Sequence, residues 1–167
     1  MRSIAPSLNT TYVAVPSAIG TARTALAQFA RGAGASPRAV EAVALSVSEA
    51  MTNAVVHAYR GRPGSIQVSA AVVARELWIL IADEGCGLQP RAHRPGLGLG
   101  LGLISEVSDD LTVVPRAGGG TEVRIRFDLG DAVRLRSASP ATVERDRGSR
   151  GSGRGSRPSA SAMSILR

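Results

Sequence analysis

The chain has 167 residues, 44% of them apolar, with 20 basic and 13 acidic side chains for a net charge of +7. That is room for one domain with a sizeable core and a tail. All 20 basic residues are Arg, and the lack of Lys excludes a phosphate loop of the G-x-x-x-x-G-K type, a eukaryotic-type protein kinase and a pyridoxal enzyme, each of which needs a specific Lys.

The charge is uneven: residues 1–129 carry 12 Arg against 10 acids, residues 130–167 carry 8 Arg against 3 acids. A single Cys, Cys86, excludes an intramolecular disulfide and a Cys-cluster metal site. With His57 and His93 as the two histidines, a His-rich metal site is not expected either. The longest apolar run, residues 68–82, is interrupted by Arg75 and Glu76 and falls short of the ~18 residues that span a bilayer. Arg2 is followed by no apolar signal-type stretch, so a soluble cytoplasmic protein is expected, without a membrane partner.

In chain order, residues 10–15 predict a short strand closed by Pro16, and Ser17 predicts the cap of an Ala-rich helix that ends at Gly32 and Gly34. Ser36 with Pro37 behind it predicts the start of a second helix, running to about Tyr59, because Pro at the first helical position loses no hydrogen bond. Residues 65–74 alternate apolar and polar and predict a strand. Residues 77–82 are apolar throughout and predict a central strand, with the turn at Arg75-Glu76. A Gly-rich connection follows from Gly85 to Gly102, with a helix starting at Leu101. Residues 111–114 and 121–127 predict two more strands around a turn at Gly118–Gly120. In the last, Val123, Ile125 and Phe127 share one face while Glu122, Arg124 and Arg126 share the other, which is expected to see solvent. Beyond Gly130 the sequence is dominated by Gly, Ser and Arg. Such a segment buries too little apolar surface to offset its chain entropy, so a disordered tail is expected over 130–167.

On a helical wheel, Val43, Val47, Ala50, Met51, Ala54, Val55 and Ala58 fill one arc of the second helix. Glu49 and Asn53, four apart, stack on the flank of that arc. Taken alone, a Glu and an Asn on such a flank are usually solvated; the alternative is the lining of a cleft, where the carboxylate takes a proton and the amide oxygen ligates a hard cation such as Mg²⁺. Asp83-Glu84-Gly85-Cys86-Gly87 follows directly on the apolar strand, a placement that suits ligand contact with backbone. Gly96, Gly98, Gly100 and Gly102 alternate with Leu and lead into a helix, which suits an anion cradle at a helix start. The spacing does not match G-x-G-x-x-G and opens no βαβ unit, so a dinucleotide fold is excluded.

Taken together and in this order, Glu49-Ala-Met-Thr-Asn53-Ala-Val-Val-His57-Ala-Tyr59, Asp83-x-Gly85-x-Gly87, Gly98-x-Gly100-Leu101-Gly102 and Gly119-Gly120-Thr121 resemble the Bergerat-fold (GHKL) ATPase and kinase superfamily. Within it, the resemblance is to the anti-sigma-factor serine/threonine kinases of the SpoIIAB and RsbW type. It covers residues 8–129. It implies an α+β fold, a two-layer α/β sandwich with helices on one face of a mixed, mostly antiparallel sheet. It implies ATP and Mg²⁺ as cofactors, and these roles: Glu49 the general base toward an acceptor Ser, Asn53 the Mg²⁺ ligand, Asp83 the acceptor for the adenine amino group. Gly85 and Gly87 would let the backbone pass close to the base, Gly98, Gly100 and Gly102 would cradle phosphates, and Thr121 would add a hydrogen bond near adenine.

The implied function is an anti-sigma factor that binds a sigma factor and phosphorylates a single-domain antagonist protein on Ser. The alternative is a non-catalytic ATP-binding, partner-binding module of the same fold. Family members are often dimers, so the resemblance allows a homodimer. The connection over residues 88–95 is short, as in the small kinases, and no helix with a phosphoacceptor His precedes the domain, so a complete sensor histidine kinase is not expected. The Arg-rich tail has no interleaved aromatics for stacking, and nucleic acid is not an expected partner.

Overall fold

The computed structural model describes residues 7–87 and 99–130. Within them the order is β1 (Ser7–Val13), α1 (Pro16–Gly32), α2 (Pro37–Thr52), β2 (Ser65–Val73), β3 (Glu76–Asp83), α3 (Leu99–Val107), β4 (Asp110–Pro115) and β5 (Thr121–Asp128). The strands form one sheet in the order β1-β2-β3-β5-β4. All four pairings are antiparallel, so among the described residues the sheet is not mixed. Otherwise the fold is the expected α+β sandwich.

The core lies between the helices and one sheet face. Ala18, Ala22, Leu26 and Ala30 repeat every four residues and form the buried stripe of α1. Val43, Val47, Ala50 and Met51 of α2 are fully buried with Ile66, Val68, Leu77, Ile79, Ile81 and Ile125. Together with the segment that extends it, α2 makes a 22-residue helix, Pro37–Ala58, long and apolar enough by length and composition to cross a bilayer. Its apolar arc is instead the arc predicted to face the sheet, as in the core helix of a globular domain.

Local chemistry explains where the elements begin. Ser36 caps α2 as expected, its hydroxyl accepting from the Ala39 amide at 3.2 Å, with Pro37 at the first position. At α1 the expectation fails. Pro16 opens the helix, Val15 is the N-cap without a side-chain bond, and Ser17 lies inside the first turn. A proline already suits the first helical position, so the boundary falls one residue before the predicted cap. The β2–β3 turn also moves. Ala74 and Arg75 both have positive φ, 50° and 66°, and Glu76 already pairs with Val73. A two-residue hairpin favours this geometry, but neither residue is one of the Gly or Asn types that signal it. Arg75 is held there by its guanidinium, which donates to the Leu129 and Gly130 carbonyls at 3.1 and 3.0 Å, and by its own carbonyl, which accepts from the Leu129 amide at 2.8 Å.

The sheet face away from the helices is not simply polar. Glu122 is buried, and Arg124 and Arg126 are half-buried. Arg124 donates to Glu122 at 2.6 Å and Arg126 to Glu76 at 2.9 Å. Ala71, Trp78 and Leu80 form a small buried apolar cluster on this face. Residues two apart on one strand, like Glu122 and Arg124, and neighbours across strands, like Arg126 and Glu76, lie close enough to pair, so the expectation of a solvated face is corrected to one of paired charges around an indole.

Gly64 is required by packing. The Tyr59 ring lies where a Cβ on Gly64 would stand. The Tyr59 hydroxyl donates to the Ser65 carbonyl and accepts from the Glu84 amide, the latter at 2.9 Å. Replacing Gly64→Ala forces that ring aside, an overpacking expected to cost about 1–3 kcal/mol. Thermal denaturation of G64A is expected to show a Tm lowered by several degrees; an unchanged Tm shows that the ring relocates freely.

Candidate functional site

Three pieces of backbone converge at one end of the sheet. The first is the end of α2, where residues Asn53–Ala58 continue the helix as a π-helix. Such wide turns inside helices are frequent at functional sites, and no sequence pattern marks this one. The second is the end of β3 and its loop. The Cys86 amide donates to the Ala58 carbonyl at 2.9 Å. A Cβ on Gly85 would stand 2.5 Å from that same oxygen, so only glycine allows the loop to cross here. The third is the turn before β5. Gly120, at φ 93°, passes so close to the Asp83 carbonyl that a Cβ would overlap it.

Asp83 sits at the junction and is 6% exposed. Its Oδ1 accepts from the Gly85 amide at 2.9 Å. Burial pushes its carboxyl above the ordinary value of 3.8; hydrogen bonds from the Gly85 and Thr121 amides and the positive charge of Arg116 pull it back down. The Arg116 guanidinium donates to the Asp83 carbonyl at 3.1 Å.

A cleft opens between the π-helical segment, the end of β3 and the start of α3. Ala50, Ala54, Ile81, Leu101, Val113 and Val123 give it apolar walls. Of the residues singled out from sequence, Asn53, Asp83, Gly87 and Thr121 line it. Glu49 is half-buried at its edge, against the start of α3: a Cβ on Gly100 would stand 2.7 Å from Glu49 Oε2 and 3.7 Å from the Asn53 amide nitrogen. Gly100 therefore lets the helix start approach both side chains. Gly102 meets nothing within 4 Å and is exposed; Leu101 beside it faces the cleft. The helix begins at Leu99, two residues before the predicted start, so Gly100 and Gly102 belong to its first turn. Gly98, Arg94, His93, the connection over 88–95 and the tail beyond Gly130 lie outside the described residues.

Sequence reasoning left His57 as an ordinary helix residue and did not place Arg60, Leu101 or Val113; all four line the cleft. The apolar members carried no signal beyond their strand and helix patterns. Nor did the sequence expose Tyr59 and Arg116 as supports of the loop, since neither contact is local.

An apolar slot floored by a buried carboxylate, with a helix start beside a Glu/Asn pair, fits an adenine nucleotide. The family model for the histidine kinase-like ATPase domain matches residues 12–127. The chain belongs to this family. Among the relatives of the ATPase domain, an anti-sigma F factor from Clostridium acetobutylicum is 31% identical over 113 residues, which is 61% of this chain and 79% of that protein. The serine-protein kinase RsbW of Bacillus licheniformis is 33% identical over 131 residues, 78% of each chain. The crystal structure of the RsbU and RsbW domains of a Mycobacterium tuberculosis protein shares the fold, with a TM-score of 0.59 at 23% identity. That match covers 73% of this chain and 32% of the other. Membership of an ATPase family implies the use of ATP.

The donor set of the ATPase domain fits the Mg²⁺ that accompanies the nucleotide. Mg²⁺ usually takes one or two protein oxygens and completes its shell with phosphates and water. Here one carboxamide and one carboxylate stand together beside Gly100, and no group of three or more His, Cys, Asp and Glu forms an all-protein cage among the described residues.

The raised carboxyl of Asp83 has a consequence for stability. Between 3.8 and its higher folded value, the folded chain binds more protons at Asp83 than the unfolded chain, so its contribution to stability falls as pH rises through that window. At pH 7 the Asp83→Asn variant is expected to have a Tm no lower than the parent. The parent is expected to gain stability relative to the variant as pH is lowered toward 4. Paired thermal melts at both pH values check this, and a markedly lower Tm for D83N at pH 7 contradicts it.

Proposed function

We propose that the chain binds ATP with Mg²⁺ in this cleft and transfers the γ-phosphoryl group to a Ser of an antagonist protein, while its other partner is a sigma factor. The observation that carries the reading is the convergence of Glu49, Asn53 and Gly100 at the start of α3, beside a cleft that Asn53 and the buried Asp83 both line. The names of the relatives, anti-sigma F factor and serine-protein kinase, support both the reaction and the partners. The catalytic unit is residues 8–129, with the Arg-rich residues 130–167 outside it.

In this reading, Asp83 accepts a hydrogen bond from the adenine amino group. Gly87 and Thr121 bring backbone and hydroxyl close to the ring, and Gly85 keeps the loop against Ala58 so that Asp83 stays in place. Gly98, Gly100 and Gly102 supply the backbone near the phosphates, where the start of α3 favours negative charge. Asn53 holds the metal, which when bound supplies positive charge to the phosphates. Phosphoryl transfer depends mostly on positioning and charge neutralisation. Glu49 takes the proton of the acceptor hydroxyl as its oxygen bonds to the γ-phosphorus; the bond to the β-phosphate oxygen breaks, and ADP leaves.

Glu49→Gln keeps the side chain's size and removes the base. Phosphorylation of the antagonist is expected to fall by roughly 10²–10⁴, with ATP affinity within a few-fold. A radiolabel transfer assay beside calorimetric ATP binding checks this. Full transfer by E49Q shows that no base from this helix is needed. ATP binding without transfer in the parent protein selects the non-catalytic binding module instead.

Asn53→Ala is expected to lower Mg²⁺-dependent ATP affinity while leaving the fold intact, because Asn53 lies at the cleft and outside the buried arc. Binding measured with and without Mg²⁺, beside a thermal melt, separates the two outcomes. A large fall in Tm with unchanged affinity makes the residue structural.

A further inference from the structure

Arg116 lies in none of the motifs that carry the family resemblance, yet it reaches the floor of the cleft. It follows β4 and opens the turn to β5. Its amide donates to the Gly120 carbonyl and its carbonyl accepts from the Gly119 amide, both at 3.2 Å. Gly118, Gly119 and Gly120 have φ of 96°, 107° and 93°, so the turn doubles back tightly enough to carry the Arg116 side chain over the end of β3. There the guanidinium donates to the Asp83 carbonyl at 3.1 Å and stands 3.8 Å from the Glu84 carboxylate. Its side chain is 30% exposed, while that of Glu84 is 73% exposed, so the backbone bond is the sheltered contact.

We propose that Arg116 is a positioning residue for nucleotide recognition, tying the β4–β5 turn to the end of β3 and holding the Asp83 carboxylate at the floor of the cleft. The inference rests on the reading of Asp83 as the acceptor for adenine.

Two effects follow from one side chain. The first is geometric. Asp83 is held through its carboxylate by the Gly85 and Thr121 amides and through its carbonyl by Arg116. Thr121 belongs to the strand that Arg116's turn leads into, so releasing the guanidinium loosens both sides of the carboxylate. The second is electrostatic. Burial works against the charged carboxylate, and Arg116 is the cation that works for it. Among the described residues, the other titratable groups around the cleft are His57, Tyr59 and Arg60 from the end of the long helix, Cys86 on the loop and Glu49 at the edge, with the exposed Glu84 beside Arg116. Removing Arg116 leaves Asp83 to protonate at a higher pH. A protonated carboxyl loses acceptor strength toward the adenine amino group. A positioning role without charge would instead weaken binding equally at every pH.

The test is calorimetric titration of ATP with Mg²⁺ into the full chain between pH 5 and 8, for the parent, Arg116→Gln, Arg116→Lys and Asp83→Asn. For R116Q, the acid-side loss of affinity is expected to begin at higher pH. Its deficit relative to the parent is expected to be larger at the acid end of the range than at pH 8, because the cation that favours the charged carboxylate is gone. R116K keeps the charge and is expected to restore the pH profile. D83N is expected to bind weakly, with no acid-side loss of its own. An R116Q profile that coincides with the parent's at every pH overturns the proposal while leaving the adenine reading intact; an R116Q profile lowered equally at every pH, or an R116K profile equal to that of R116Q, overturns the electrostatic effect and leaves the geometric one. D83N binding ATP like the parent at every pH overturns the adenine reading, and this inference falls with it.

Discussion

The carbonyl of Ala58 is the point on which the cleft depends. It is the last carbonyl of the long helix, and helix ends leave such groups without an intrahelical partner. Here the partner is the Cys86 amide from the loop after β3, at 2.9 Å. That bond is available only because Gly85 has no side chain to collide with the same oxygen. It fastens the helix that carries Asn53 to the strand that carries Asp83. The core packs α2 on the sheet, and this bond fixes the loop after Asp83 against the helix end.

Around that bond, the other close approaches act in the same direction. Tyr59 lies flat over Gly64 and takes the Glu84 amide on its hydroxyl. Gly120 lies against the Asp83 carbonyl, and Arg116 binds the same oxygen. Apart from Tyr59 over Gly64, each contact joins residues distant in sequence, and together they surround a carboxylate that burial would otherwise drive neutral. A buried charge is tolerated when it is hydrogen-bonded and compensated. The cleft side of Asp83 is lined by apolar groups, which strengthens any hydrogen bond a ligand makes to it. Binding power at this site therefore comes with a stability cost at neutral pH, and the surrounding contacts hold that cost in place.

Much of this was legible from residue types and spacing. The strand and helix periodicities, the Ser36-Pro37 helix start and the arc of Val43, Val47, Ala50 and Met51 are local signals, and each corresponds to an observed element. The misplacements have local causes too. Pro16 rather than Ser17 begins α1, because two adjacent residues both suit a helix start. The hairpin turn sits at Ala74-Arg75, where an unfavourable backbone conformation is held by Arg75's bonds to the distant residues 129 and 130. The polar side of β5 is partly buried because β3, far away in sequence, brings Glu76 and Trp78 against Arg126, while Glu122 and Arg124 pair within β5 itself.

The sequence by itself determined the order of elements, the family and the residue types present at the site, since side-chain period, glycine spacing and the Glu49/Asn53 interval are properties of the linear chain. The tertiary structure decided which of those residues share a cleft and which lie behind it. It put Asn53, Asp83, Gly87 and Thr121 on the wall and Glu49 at the start of α3, and it turned Gly85 into a packing contact. It widened the helix after Thr52 into a π-helix and brought His57, Arg60 and Arg116 to the cleft end of the sheet. The physical reason is that these facts depend on hydrogen bonds and excluded volume between segments far apart in the chain, and no local pattern of residues encodes such distances.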